Sequence, residues 1–380
     1  MPGMDRTERD RRYQEGELPW PVSPEDWELA AADAMVAREF DYVAGGAGGE
    51  ATVRANREAF ARRQLRPRML TGNLERSLSV PLPGFTAPVP VLTAPVGVLE
   101  MAHPEAEIAL ARAVKELGVP LVLSNQASTP MEEVAAELDG HPAWFQLYWN
   151  TDREVVQSLV SRAEAAGYSA IVLTVDTNTQ GWRERDLRNQ FSPFFAGRGI
   201  AQYTSDPVFR SRLEKPPEED PVAAGLEMIR TFPNPGLGWD DLAWLREQTS
   251  LPILLKGVLR GDDAQRAADA GVAGLIVSNH GGRQLDGSIA SLDAVAEVRA
   301  AFGDGAVLMD GGVRRGADVI KALALGADAV LVGRPFVYGL AVAGRAGVVQ
   351  ALHSLLADLD IALTTAGAAD VRAVASDLVA

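Results

Sequence analysis

Eight short apolar runs, rich in β-branched residues and separated by helical stretches, organise the chain from residue 89 onward. They fall at 89–96, 119–123, 143–148, 170–175, 252–258, 274–278, 306–309 and 329–332. Each is continuously apolar rather than alternating, the pattern of strands buried on both faces in a helix-covered parallel sheet. Gly118, Gly167, Gly271 and Gly326 stand just ahead of such runs, where a helix needs a left-handed exit. Thr151-Asp-Arg-Glu154 reads as a capping box before the apolar stripe Val155, Val156, Leu159, Val160 and Ala163. Eight strand–helix units over about 270 residues match the size of a (β/α)8 TIM barrel, whereas a doubly wound sheet usually has fewer strands and splits into halves.

The expected architecture is therefore an α/β barrel over 89–380 with an N-terminal helical segment, 1–88, packed on it. Within that segment, 24–44 reads as one helix with Trp27, Ala31, Ala34 and Met35 on one face. The run Ala44-Gly-Gly-Ala-Gly-Gly49 ends it. No strand precedes this run, so it reads as a turn between helices rather than a phosphate loop. One connection is long: residues 176–251 join the fourth run to the fifth, with Pro216-Pro217, Glu218-Glu219-Asp220 and Pro233-Asn-Pro235 inside it. A connection of that length is usually functional or disordered. Leaving from a strand's C-terminal end, it is expected to form an active-site lid over about 177–238, followed by a short helix at 239–248.

Composition narrows the chemistry. The chain of 380 residues has no cysteine, which excludes disulfides, thiol nucleophiles, Fe–S clusters and Cys-ligated zinc. Its four histidines, His103, His141, His280 and His353, show no metal-binding spacing. The net charge of −15 argues against nucleic acid and requires a local basic pocket for any anionic substrate. No uninterrupted apolar stretch approaches the length of a membrane span, and Met1–Glu17 lacks the apolar core of a secretory signal, so a cytoplasmic location is expected.

In a barrel of this kind the site lies at the C-terminal strand ends. Those ends carry Pro95-Val96-Gly97, Ser124-Asn125-Gln126, Gln146-Leu-Tyr148, Thr174-Val-Asp176, Lys256, Ser278-Asn-His280-Gly-Gly-Arg283, Asp310-Gly311-Gly312-Val313-Arg314 and Gly333-Arg334. Turn formation alone would not place Lys, His, Arg and Asp directly after apolar runs. Gly311, Gly312, Gly333 and Arg334 suit a phosphate site. His280 is the only histidine at a strand end and is the candidate general base; Asp176 is a carboxylate suited to orient it. Arg183 and Arg283 are suited to clamp a carboxylate. His103, His141 and His353 read as structural.

The segment Ser278-Asn-His-Gly-Gly-Arg-Gln284 resembles the signature of the FMN-dependent 2-hydroxy acid oxidase and dehydrogenase family. Asp41-Tyr42, Gln146-Leu-Tyr148, Thr174-Val-Asp176, Leu255-Lys256-Gly257, Asp310-Gly-Gly-Val-Arg314 and Gly333-Arg334-Pro335 extend the resemblance over about residues 25–375. The resemblance implies FMN at the barrel mouth, its phosphate near Gly312, Arg314, Gly333 and Arg334. It places Pro95–Gly97, Ser124, Gln146 and Thr174 around the isoalloxazine and Lys256 near its N1 edge, with Ser278, Asp310, Gly311 and Val313 also on the cofactor side. The substrate carboxylate would meet Tyr42, Arg183 and Arg283, and its hydroxyl Tyr148 and His280. It further implies a small 2-hydroxy acid and O2 as reactants and a homotetramer or octamer.

Gly97, Gly181-Trp-Arg183 and the long lid with Tyr203–Phe209 resemble the lactate 2-monooxygenase branch, which turns lactate into acetate, CO2 and water. The alternatives are an oxidase releasing 2-keto acid and H2O2, or a dehydrogenase with another acceptor. His103-Pro104-Glu105 looks more like the glycolate oxidase branch. Gln126 and Gln180 stand where the substrate tail usually meets apolar groups, and would favour a tail that can hydrogen-bond. Phosphate barrels of the inosine-monophosphate dehydrogenase type share a similar ending, Gly311 to Ala327, but need a catalytic cysteine. A non-enzymatic flavin-binding protein would not need His280, Asp176 and two arginines together.

Overall fold

In the computed structural model, which describes residues 10, 20–72, 76–232 and 234–380, all eight apolar runs form strands of one sheet. They are β1 (Val91–Thr93), β2 (Leu121–Leu123), β3 (Ala143–Leu147), β4 (Ile171–Thr174), β5 (Ile253–Val258), β6 (Gly274–Val277), β7 (Ala306–Met309) and β8 (Ala329–Val332). Their order is β1-β8-β7-β6-β5-β4-β3-β2, and every pairing is parallel. The Thr93 N–H donates to the Pro120 carbonyl at 3.1 Å, bringing the first strand beside the second. The chain is thus a (β/α)8 barrel. The strands are almost wholly buried, as their unbroken apolar runs require. Gly118, Gly167, Gly271 and Gly326 all have positive φ, as expected at the helix exits.

The N-terminal segment differs from the expectation in two respects. Residues 24–44 form two helices, α1 (Pro24–Ala34) and α2 (Ala37–Ala44), because Met35 leaves the helix in extended conformation at ψ 157°. After α3 (Ala51–Arg62) the segment is not helical to its end: Val80–Leu82 and Phe85–Ala87 form an antiparallel hairpin. This hairpin seats on the barrel's N-terminal side, where its Pro83 carbonyl accepts from Trp144 Nε1 at 3.0 Å. The reading of Met1–Glu17 lies outside the described residues, apart from Asp10. Asp152, not Thr151, caps the helix Arg153–Ala165, accepting from the Glu154 N–H.

The long connection is folded. It contains short helical turns at Glu184–Arg188, Pro193–Ala196, Ala201–Thr204 and Pro207–Arg210, and a full helix at Pro221–Thr231. Arg162 pins it by pairing with Asp206 at 3.0 Å and donating to the Gln202 carbonyl at 2.8 Å. The expected helix beyond it spans Trp239–Glu247.

The last helical stretch, Arg334–Ala366, has the length and apolarity of a membrane span, but it breaks at Ala343 (φ −156°) and Gly344 (φ 55°). Its two arms fold against each other so closely that a Cβ on Gly347 would overlap the Gly339 carbonyl oxygen. Its buried face, including Phe336, Leu340, Leu352 and Leu359, belongs to the protein core. Gly347→Ala is expected to lower unfolding stability by roughly 1–3 kcal/mol through overpacking; urea unfolding checks it, with an unchanged midpoint disproving the contact's rigidity.

Candidate active site

The site begins with a strained loop after β6. His280 has φ 58° and is followed by Gly281 and Gly282, also at positive φ. Such a backbone in a non-glycine residue persists only where neighbours over-determine it. Here Asn279 supplies the restraint: it exchanges side-chain hydrogen bonds of 2.9 and 2.8 Å with Asn56 of α3 and accepts from the Gly282 N–H. The N-terminal segment therefore shapes the loop that presents His280.

His280 Nδ1 lies 2.9 Å from Asp176 Oδ1 and 3.3 Å from Thr177 Oγ1, while Nε2 lies 3.4 Å from the Tyr148 hydroxyl. Asp176 reaches this position because β5 bulges at Gly257 (φ 112°), where a Cβ would fall 2.6 Å from Asp176 Cβ. Withdrawal from water, together with the charges of Lys256 and Arg183, holds His280 below the usual imidazole range despite Asp176. Burial opposes ionisation of Asp176, but His280, Lys256 and the Thr177 hydroxyl outweigh it and leave its carboxyl below the usual range. The resting pair is a neutral imidazole donating from Nδ1 to a carboxylate, with Nε2 open to accept a proton. Burial, reinforced by Asp176, raises the Tyr148 phenol, which stays protonated.

Lys256 is buried on β5, 3.0 Å from Ser278 Oγ and 3.2 Å from Asp310 Oδ2. Burial would discharge it, but Asp310 and Asp176 overcome that and raise its ammonium above the ordinary value. Ser278 also donates to Asp310 at 2.6 Å and accepts from the His280 N–H at 2.9 Å, tying the cation to the His280 loop.

Two guanidiniums flank the opposite wall. Arg183 and Arg283 stand 5.7 and 5.0 Å from the Tyr42 ring centroid. Arg283 donates to the Tyr42 and Gly45 carbonyls at 2.6 and 2.9 Å, and Arg334 to those of Val43, Gly45 and Gly281. The glycine-rich turn after α2 thus offers its Gly45 carbonyl to both arginines. Withdrawal from water and the adjacent Arg183 charge push Arg283 down to about 9. It remains a cation whose charge an anion would stabilise.

These groups surround one cavity, with about 1370 Å³ of space not filled by protein atoms, part of it open to solvent. Of the expected residues, Tyr42, Pro95, Val96, Gly97, Ser124, Tyr148, Arg183, Lys256, His280, Arg283, Asp310–Arg314, Gly333 and Arg334 line it. Gln146, Thr174, Ser278 and Asp176 lie behind that lining. Trp182 points outward, 72% exposed, and does not line the cavity. Tyr203 and Phe209 are packed in the interior, Tyr203 donating to Asn125 Oδ1 at 3.3 Å.

The sequence reading missed several contributors. Phe194, Ile229 and Phe232 of the long connection close the cavity's apolar side, and nothing periodic in that segment signalled them. Gln284, the last residue of the quoted signature, accepts from the Gly181 N–H and Arg183 Nη2 and donates to the Asp176 and Thr179 carbonyls. It fixes Arg183 and Asp176 together. Asp186, 3.8 Å from Arg183, also went unnoticed.

A parallel barrel with a buried cation, an imidazole–carboxylate pair and an arginine-lined cavity at its mouth is the architecture of a cofactor-dependent barrel oxidoreductase. The chain belongs to the FMN-dependent dehydrogenase family, whose pattern matches residues 31–380. It is 44% identical over 357 residues to the L-lactate oxidase of Lysinibacillus sphaericus (strain C3-41), covering 94% of this chain and 92% of that one. It is 40% identical over 366 residues to human 2-hydroxyacid oxidase 1, covering 95% and 97%. The structure of mandelate oxidase with (S)-4-hydroxymandelic acid superposes with a TM-score of 0.84 at 41% identity, covering 94% of this chain and 98% of that one.

The cofactor is FMN, and the residues present fit it. Gln146 Nε2 and Thr174 Oγ1, just behind the lining, are buried without a hydrogen-bond partner among the described residues, and the polar edge of a heterocycle would supply one. Loss of hydration and the charge of Arg334 push Arg314 down to about 10, so two like charges face a space that a phosphate would neutralise. Gly312 (φ 91°) lets the loop after β7 pack against α3, since a Cβ there would fall 2.6 Å from the Asn56 carbonyl oxygen. Gly333 also opens the helix that starts at Arg334, whose N-terminal N–H groups favour an anion.

Proposed function

We propose that this protein oxidises an L-2-hydroxy acid to the 2-keto acid and passes the electrons to O2, releasing H2O2. The observation that carries the reading is the joint placement of the neutral His280–Asp176 pair and the Arg183–Arg283 pair around one cavity. Arg183 and Arg283 hold the substrate carboxylate, with the Tyr42 ring keeping both guanidiniums in place. His280 Nε2 accepts a proton as the hydroxy acid loses two electrons, and the Tyr148 hydroxyl, 3.4 Å away, shares the substrate oxygen. Asp176 stabilises the imidazolium that results. FMN, when bound, would supply the two-electron acceptor, with O2 as the final oxidant. Lys256, kept charged by Asp310, provides a fixed positive centre on the cofactor side.

The names of the relatives, an L-lactate oxidase and a 2-hydroxyacid oxidase, support release of peroxide. A second reading, lactate-2-monooxygenase-like retention of pyruvate and peroxide until they form acetate, CO2 and water, draws support from the folded connection that closes the cavity with Phe194, Ile229 and Phe232. Incubating the FMN-loaded protein with L-lactate in air and assaying peroxide, pyruvate and acetate separates them. Peroxide and pyruvate in equal amounts support the oxidase, and acetate without free peroxide the monooxygenase.

Arg183→Lys is expected to raise the KM for the hydroxy acid by about tenfold or more with a smaller effect on kcat. It loses a planar cation held by Gln284 and the Arg283 carbonyl. Steady-state kinetics check it; an unchanged KM would remove Arg183 from carboxylate binding.

A further inference from the structure

We infer that Gln126 selects 2-hydroxy acids whose side chain carries a hydroxyl beyond an apolar stem. This rests on the function proposed above and names the substrate class within it. Gln126 follows β2, lines the cavity, and is only 4% exposed. Its Oε1 is buried with no hydrogen-bond partner among the described residues, and its Nε2 has only the Met228 sulfur at 3.8 Å. A buried amide left this way costs stability, which binding of a matching group would recover.

The backbone that carries this side chain is held in place, so only its own side-chain bonds turn the amide toward the cavity. Its N–H donates to Ser124 Oγ at 3.1 Å and its carbonyl accepts from the Val98 N–H at 2.8 Å. Gly97 packs beneath it so tightly that a Cβ there would fall 2.7 Å from Gln126 Cβ. The absence of a side chain at residue 97 is therefore what lets Gln126 occupy this position. Phe194, Ile229 and Phe232 form apolar wall around the same space. A tail matching both features is apolar along its length and polar at one point. A hydroxyl serves best there, because it donates to the amide oxygen and accepts from the amide nitrogen, satisfying Gln126 in either orientation.

The experiment compares matched pairs in anaerobic reduction of the FMN-loaded protein: (S)-4-hydroxymandelate against (S)-mandelate, and (S)-2,4-dihydroxybutyrate against (S)-2-hydroxybutyrate. In whichever pair reacts faster, the hydroxylated member is expected to be favoured at least about tenfold, the low range for an unpaired buried polar group. Gln126→Met, which keeps the shape of the chain, should abolish that preference while leaving the melting temperature equal or higher; Gln126→Leu serves if it does not fold. Equal rates within both pairs, or a preference that survives the substitution, would overturn the inference. If no hydroxy acid reduces the flavin, the proposed function fails. Calorimetric binding of the corresponding 2-keto acids then decides the point: at least about tenfold tighter binding of the hydroxylated member upholds the role of Gln126, and equal binding rejects it.

Discussion

His280→Ala is expected to retain FMN but to slow flavin reduction by at least about 10²-fold, the lower range of a general-base contribution. The size of the effect follows from how fully the structure commits this side chain. Its loop is held at positive φ by the Asn56–Asn279 pair, and its Nδ1 proton is directed to Asp176, leaving Nε2 to face the cavity beside Tyr148. The same arrangement sets the pH dependence of the unsubstituted protein. Because burial and the charges of Lys256 and Arg183 lower the His280 pKa, the base is already neutral at pH 7. Reduction should stay constant as pH rises from neutral and fall only on acidification below the ordinary imidazole range. Stopped-flow reduction across pH checks both statements. A variant that reduces at the normal rate would remove His280 from the role of base.

Lys256→Met carries the largest expected cost in stability, about 3–5 kcal/mol, the range seen when one partner of a buried ion pair is deleted. Asp310, which Lys256 meets at 3.2 Å, would keep only the Ser278 hydroxyl, and Asp176 would lose a nearby cation. The substitution should also slow flavin reduction, since it removes the fixed positive charge beneath the cofactor side of the cavity. Urea unfolding measures the first effect, and single-turnover reduction the second. A loss below about 1 kcal/mol would mean that water reaches Asp310 and that the pair is not truly buried.

The barrel was legible because its strands are buried on both faces and therefore write continuous apolar runs that helices and glycine exits punctuate. The residues at the strand ends were legible for the opposite reason, since Lys256, His280 and Arg334 interrupt or follow those runs where packing alone would not place charge. Elements with weaker patterns were harder to read. Met35 breaks a helix without any glycine or proline to announce it, and the hairpin 80–87 is too short to show alternation. The break in the helix 334–366 is equally hard to read, because the close contact of Gly339 with Gly347 is a tertiary event. The same holds for Phe194, Ile229 and Phe232, whose place in the cavity depends on how a charged, proline-rich connection folds back. The glycine run at 45–49 reads as a turn between helices, and the structure uses its Gly45 carbonyl to anchor Arg283 and Arg334.

The acidic balance of the chain also acquires a location. A net charge of −15 coexists with Arg183, Arg283, Arg314, Arg334 and Lys256 around one cavity, so the field that greets an anionic substrate is set by the mouth and not by the whole surface. The central claim is that this mouth oxidises 2-hydroxy acids through FMN. The most direct test is to mix the FMN-loaded protein with an L-2-hydroxy acid in the absence of oxygen and follow the flavin absorbance. Bleaching by the L acid and not by its D enantiomer, with recovery of the yellow colour on admitting air, is the predicted result. A flavin that stays oxidised with every 2-hydroxy acid tried would contradict it.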